Sequence, residues 1–210
     1  MGSQLRFLDG ADEAIDSVPN LIEGFHYQRE LITVAEEKSL LDHVGELPFR
    51  EFEFHGYLGK RRTVSFGWQY EFSGRGKLRK ADDIPEFLLP LRSRAASFAG
   101  MQPDSLQHVL VIEYRPEAGI GWHKDKPVFG EVIGVSLLAP CILRFRRKRE
   151  EAAAKGKGDR LKSNWERVNL LAEPRSAYHL SGPARSEWQH SILRVDSLRY
   201  SVTFRSMSEA

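Results

Sequence analysis

The 210-residue chain has a single cysteine, Cys141. That excludes an intramolecular disulfide and a zinc site built on cysteines. No apolar run approaches the ~20 residues of a membrane span. Residues Met1 to Asp9 lack the apolar stretch of a signal peptide. A reducing, cytoplasmic setting without a membrane partner is therefore expected. An excess of one charge is also missing: 31 Lys and Arg against 29 Asp and Glu leave a net charge of +2, so whole-chain electrostatics select no partner. Gly74 and Gly76, with basic neighbours, lack the spacing of a phosphate loop. There is no internal repeat. The chain does carry material for a core, 41% hydrophobic with twelve Phe, six Tyr and four Trp, enough to fold without staples.

Residues 1–17 are polar and acidic and read as a flexible N-terminus; 18–210 read as one domain. Thr33 to Val44 is expected to be a helix, with Thr33 and Glu36 as a capping box and Gly45 as terminator. Pro85 to Ala99 is expected to be a second, with Leu88, Leu91, Ala95 and Phe98 on one face and Gly100 behind them. Phe52 and Phe54 alternate with acids like a strand, residues 61–70 are β-prone and aromatic, and Ser73 to Lys80 reads as a loop. After Gly100 short β-type runs follow one another: 106–115, 120–124, 131–139, 142–147, 165–172, 176–180, 191–194 and 198–205. Turn signals such as Pro116-Glu117-Ala118-Gly119 separate them. Helices followed by many short strands predict an α+β domain around a β-sandwich or jelly roll. Residues 144–167 hold ten basic and four acidic residues, a local +6 within a +2 chain. The block reads equally as phosphate-neutralising or as a solvated hairpin.

His123-Lys124-Asp125 would put an imidazole and a carboxylate on one face of an extended stretch. With a distant second His this is the donor set of a facial triad for non-haem iron. Seven His and ten Asp would produce about 0.3 such pairs by chance, so context decides. At the C-terminus, Arg199, Ser201, Thr203 and Arg205 alternate with Tyr200, Val202 and Phe204. Two arginines on one face would hold a carboxylate or phosphate if turned inward, or form a solvated face if turned outward. His190 follows Trp188-Gln189 and reads as a ligand or as a packed structural residue. His108 is expected to face a neighbour or solvent, His179 to be structural, and Cys141 to be a small buried hydrophobe.

The order His-x-Asp, long gap, His, then a strand with two arginines facing one way resembles the iron(II)- and 2-oxoglutarate-dependent dioxygenases. More narrowly it resembles the AlkB family, over about Leu106 to Arg205. Tyr114-Arg115-Pro116 and the run from Val128-Phe129-Gly130 also match. Residues 180–190 and Ile112-Glu113-Tyr114 look most like the branch of the fourth human AlkB homologue. The resemblance implies a double-stranded β-helix, or jelly-roll, core (about 106–206). It also implies N-terminal helices, a nucleotide-recognition lid (about 52–80) and a basic insertion (about 148–164). It implies His123, Asp125 and His190 as iron ligands, and Tyr114, Arg199, Thr203 and Arg205 around 2-oxoglutarate. Arg205 would lie near the ligand carboxylate, and Trp188 would pack beside His190.

The implied cofactor is Fe(II), with 2-oxoglutarate and O2 as cosubstrates. The implied reaction is oxidative demethylation of N-alkylated bases, with release of succinate, carbon dioxide and formaldehyde. The implied partner is single-stranded or flipped-out alkylated nucleic acid, and the expected state is a monomer. Within the lid, Trp68 or Tyr70 would stack on a base, while Arg61 and Arg62 would meet phosphates. Two departures bear on substrate: Ile112 and Ser201 stand where the DNA-repair members carry Asn. A methylated-protein substrate, through N-methyl-lysine removal or side-chain hydroxylation, is the alternative; an acidic or apolar mouth would favour it. A non-catalytic nucleic-acid-binding module is a third reading, which an intact ligand set argues against.

Overall fold

The computed structural model describes residues 22–54, 57–71, 77–149 and 164–208. The expected flexible N-terminus and most of the basic insertion lie outside them. Thirteen strands, in chain order, are β1 (Phe25–Gln28), β2 (Arg50–Phe54), β3 (Tyr57–Phe66), β4 (Trp68–Glu71), β5 (Lys77–Lys80), β6 (Leu106–Tyr114), β7 (Ile120–His123), β8 (Phe129–Leu137), β9 (Cys141–Lys148), β10 (Trp165–Ala172), β11 (Ala177–Leu180), β12 (Gln189–Ile192) and β13 (Arg199–Met207). Among the described residues the α-helices are α1 (Val34–Val44), α2 (Leu89–Phe98) and the short α3 (Gly182–Ser186).

Seven strands form a major sheet in the order β1-β11-β8-β13-β6-β3-β2, and four form a minor sheet, β10-β9-β12-β7. The pairings that build both sheets are antiparallel, and the two sheets make the jelly roll. Strands β4 and β5 form a separate ribbon.

The major sheet is covered on both faces, which explains the alternation in β13. Tyr200, Val202 and Phe204 face a cluster with Val109, Val111, Ile133, Val135 and the apolar residues Leu40, Val44, Leu91 and Ala95 of α1 and α2. The other face looks toward the minor sheet, where Tyr114 and Val132 pack with Leu143, Phe145 and Leu170. Arg199, Ser201, Thr203 and Arg205 are all buried on that inner side. Of the two orientations open to these arginines, the fold takes the inward one.

Helix α1 starts as its sequence dictates. Thr33 Oγ1 accepts from the Glu36 amide at 3.2 Å, and the Glu36 carboxylate accepts from the Thr33 amide at 2.8 Å. Other elements depart from expectation. The second helix begins as a 3-10 turn over Glu86–Leu88 and becomes α-helical only at Leu89. Pro90 stands at the first positions of α2, where its missing N–H costs no hydrogen bond. Residues 77–80, expected in a loop, pair as a strand with β4, Trp68 opposite Lys80 and Tyr70 opposite Leu78. Cross-strand contact to aromatic side chains outweighs the local glycine and charge content. Strand β1 and helix α3 were not legible, because each is too short to show a period.

Candidate active site

His123 closes β7 and stands directly opposite His190 on β12, with ring centroids 4.3 Å apart. The strand ends there, so Asp125 does not leave an extended stretch as the spacing suggested. It sits in the loop before β8, and arginines from elsewhere bring it in. Arg185 of α3 donates to the carbonyls of Lys126, Phe129 and Gly130 at 2.7–2.8 Å and to that of Asp125 at 3.3 Å. One guanidinium thereby folds the loop over. Arg205 then grips Asp125 Oδ1 from Nε at 2.9 Å and from Nη2 at 2.7 Å. Asp125 Oδ2 is buried without a hydrogen-bond partner, 3.6 Å from His190 Nε2.

The protonation states suit metal ligation. His123 Nδ1 lies 2.9 Å from the Gly121 carbonyl. A carbonyl only accepts, so Nδ1 carries the proton and Nε2 keeps its lone pair. Burial pushes the His190 imidazole down to about 3, with His123 adding to the effect. Burial lowers His123 as well. Burial pushes Asp125 up, but the Arg205 charge, joined by that of Arg185, outweighs it and holds the carboxyl far below its ordinary range. Two neutral imidazoles and an ionised carboxylate are the N,N,O donor set that non-haem iron takes. The set is loose: among the described residues no three such side chains are already closed around one point. The orphaned Oδ2 is the observation that fits a cation ligand, since an ionised oxygen left bare in the interior is costly.

The other end of β13 presents the opposite charge. Arg199 pairs in register with Tyr114 and is 1% exposed. Its guanidinium lies 4.8 Å from the Tyr114 ring and its Nη2 donates to Ser136 Oγ at 3.2 Å. Nε and Nη1 are buried without any acceptor. A permanent cation with two empty donors in a dry interior fits a carboxylate ligand.

Between these two ends lies a cleft of about 1150 Å³. His123, Asp125, His190, Tyr114, Thr203 and Arg205 line it, while Arg199 stands behind the Tyr114 wall. Ile112 and Ser201, the two departures, face each other across β6 and β13, and both line the cleft. Of the four residues expected at the lid, Arg61 and Tyr70 reach the cleft; Trp68 and Arg62 do not line it. For Arg62 the reason is strand alternation: it pairs with Glu113 on the helix-covered face, bidentate at 2.7 Å from both Nε and Nη2. Trp188 is buried among apolar residues of the smaller cluster. The rings beside His190 are instead those of His123 and Phe145, both tilted against it.

Two residues lining the cleft, Tyr178 and His108, and one that holds the loop beside it, Arg185, carried no functional reading in the sequence. Tyr178 lines the cleft, its phenol pushed far up by burial, and lies across Gly134, where an added Cβ would stand 2.2 Å from the ring. A glycine inside a strand was the available signal, since it marks a close approach. His108, buried at 3%, accepts from Arg205 Nη1 through Nδ1 at 3.3 Å. Burial first and then the Arg205 charge hold its imidazole near 2, hence neutral. Arg185 left no local signal, because its partners are 55–60 residues away. His179 and Cys141 are structural as expected: His179 Nε2 meets Glu131 Oε2 at 2.6 Å and the thiol is buried.

The jelly roll thus carries a donor set for a metal at one end of β13 and unfilled donors for an oxoacid at the other. Residues 25–205 match the 2OG-Fe(II) oxygenase superfamily, and the chain belongs to it. The family uses Fe(II) as its metal cofactor and 2-oxoglutarate and O2 as cosubstrates. Its relatives are AlkB homologues. The chain is 30% identical over 208 residues to the alkylated DNA repair protein ALKBH8 homolog of Arabidopsis thaliana, covering 91% of this chain and 57% of that protein. It is 30% identical over 146 residues to the mitochondrial alpha-ketoglutarate-dependent dioxygenase alkB homolog 7 of Mus musculus, covering 68% and 59%. It is 30% identical over 104 residues to the probable RNA/DNA demethylase ALKBH6 of Danio rerio, covering 50% and 42%. The chain thus spans about half the length of these curated relatives. The solved structure of OsALKBH1 superposes with a TM-score of 0.62 at 16% identity, over 87% of this chain and 96% of that one, a likeness of fold.

Proposed function

We propose that the protein is an Fe(II)/2-oxoglutarate-dependent dioxygenase that removes N-alkyl groups from bases of single-stranded or flipped-out nucleic acid. His123, Asp125 and His190 would hold the iron; Arg199, Tyr114 and Thr203 would hold 2-oxoglutarate, with Arg205 beside it on the ligand carboxylate. Bound iron and cosubstrate supply dioxygen activation and oxidation of the N-methyl group, which leaves as formaldehyde while 2-oxoglutarate becomes succinate and carbon dioxide. The chain's own part is placement. Arg205 fixes one carboxylate oxygen of Asp125 and leaves the other for the metal. The His123–Gly121 bond aims the ring. Arg199 neutralises a cosubstrate carboxylate in an interior that water does not reach. No side chain is required as a general base.

The charge of the cleft carries the substrate reading. Its lining holds six cations (Arg50, Arg61, Lys80, Lys124, Lys126 and Arg205) against three carboxylates (Glu51, Asp82 and Asp125). Arg205 and Asp125 cancel each other, leaving five against two at the mouth. Tyr70 stands there with Lys126 Nζ 5.3 Å from its ring centroid, an aromatic face among cations, as a stacked base beside its phosphate requires. A basic mouth disfavours the methylated-protein alternative. Two of the relatives, described as a DNA repair protein and as a probable RNA/DNA demethylase, support the same reading. The nearer placement in the branch of the fourth human homologue rests on residues 180–190 and Ile112-Glu113-Tyr114 alone.

The test is formaldehyde and succinate release with Fe(II), 2-oxoglutarate and air, on single-stranded oligonucleotides bearing 1-methyladenine or 3-methylcytosine. Substrate-dependent release that disappears in His123→Ala is expected. Succinate without formaldehyde on every oligonucleotide, together with demethylation of a methylated peptide, would replace this reading with the protein-directed one.

A further inference from the structure

The minor sheet has an outer face of which only Trp122 lines the cleft. His190 on β12 and Phe145 on β9 point inward, so their neighbours point out: Gln189 and Ser191 on β12, Arg144 and Arg146 on β9. Strand β7 contributes Trp122, turned outward where an irregularity in the β7–β12 pairing falls. Strand β10 contributes Trp165 at its far side. The Arg144 guanidinium lies 4.8 Å from the Trp122 ring, and that of Arg146 lies 4.4 Å from Trp122 and 4.3 Å from Trp165. Two cations thus share one indole, and one of them is held between two.

Among the described residues these arginines have no counter-charge. Each is anchored through Nε to a neutral acceptor, Ser191 Oγ at 3.0 Å for Arg144 and Gln189 Oε1 at 2.7 Å for Arg146. Among the described residues neither makes an ion pair. Their neighbour Arg147 shows the ordinary alternative, bonded to Glu166 at 3.1 Å and Glu187 at 2.9 Å. Adjacent like charges repel, so a pair held by stacking and neutral anchors is poised for an anion. The anchors engage Nε and, among the described residues, leave the Nη groups without an acceptor, donors that a phosphate can fill. Crossing the four strands from β7 to β10 spans ~14 Å at strand spacing, room for a few nucleotides. Trp122 is also a wall of the cleft and adjoins His123, so this face runs into the active-site mouth.

We infer that the outer face of the minor sheet, Trp122–Arg144–Arg146–Trp165, binds the single-stranded nucleic acid flanking the target base. The arginines meet its phosphates and the indoles add stacking. The inference rests on the nucleic-acid reading of the cleft.

Binding is measured by fluorescence anisotropy with an unmodified single-stranded 15-mer across a salt series, which needs no chemistry at the iron. The double variant Arg144→Gln/Arg146→Gln is expected to bind about 10-fold more weakly. It should also lose about 1.4 from the slope of log K against log salt, at ~0.7 per phosphate contact. Arg147→Gln, already neutralised in the protein, should change binding less than two-fold. For wild-type protein, photo-crosslinking to an oligonucleotide carrying 5-iodouridine, read by peptide mass spectrometry, should place adducts on Trp122 and Trp165. If wild type binds and demethylates while the double variant keeps its affinity and salt slope, the outer face is not the binding surface and the reading of the cleft stands. Adducts that fall only near Tyr70 would overturn the outer-face proposal in the same way. If wild type neither binds nor demethylates any oligonucleotide, both fall together.

Discussion

Arg205 and Arg199 leave the same face of β13, six residues apart, yet their surroundings differ. Arg205 is committed: Asp125 takes two of its bonds and His108 another. Arg199 meets one hydroxyl and an aromatic face, and two of its nitrogens have nothing. One arginine is part of the folded protein's own electrostatics; the other is left for a ligand. A buried charge that its partner satisfies supports the fold, whereas a buried charge left bare is a cost kept for binding.

The largest expected effect breaks the satisfied end. Arg205→Met leaves the Asp125 carboxylate buried and unpaired, and should destabilise the protein by about 3–5 kcal/mol. Urea unfolding measures it. At the other end, Arg199→Met removes a charge that nothing neutralises, so stability should hold or rise. The KM for 2-oxoglutarate should increase about 100-fold, as two charged hydrogen bonds of ~1.5 kcal/mol each are lost. A loss of stability in Arg199→Met matching that of Arg205→Met would erase the distinction.

A smaller effect concerns the wall between them. Gly134→Ala places a methyl against Tyr178, which must shift, at a cost of about 1–3 kcal/mol. A narrowed cleft should raise KM for the nucleic-acid substrate more than for 2-oxoglutarate.

The smallest effect per step is in pH. His108 is held neutral in the fold near 2 but takes a proton at its ordinary 6.5 when unfolded. The unfolded chain therefore binds more protons below 6.5, and stability falls as pH drops from there toward 2, by at most about 1.4 kcal/mol per unit for this group. His190, pushed down to about 3, titrates with the same sign. His108→Gln should therefore flatten, without abolishing, the loss seen in urea midpoints between pH 6.5 and 4.5.

What could be read in advance followed from how local each signal is. The α1 capping box lies within four residues, and its hydrogen bonds form as the letters suggest. The alternation in β13 needed only the two-residue period of a strand, and the jelly-roll class followed from the succession of short strands. Failures came where long-range contact overrode local preference. Residues 77–80 look like a loop until β4 offers Trp68 and Tyr70 across the ribbon. Arg62 and Arg61 are adjacent and equally basic, but the pleat sends one to Glu113 on the helix side and the other to the cleft.

By itself the sequence determined the kind of sheet that forms and the order in which the His, Asp and Arg donors appear along it. Those properties depend on residue type and on a period of two. Only the tertiary structure decided that the two arginines turn inward, because helices α1 and α2 cover the other face of the major sheet. It alone decided that Asp125 is delivered by Arg185 and Arg205 rather than by its own strand, and that Arg199 is left with unfilled donors. Burial and pairing are properties of neighbours distant in the chain, and no local pattern encodes which charge will find its partner.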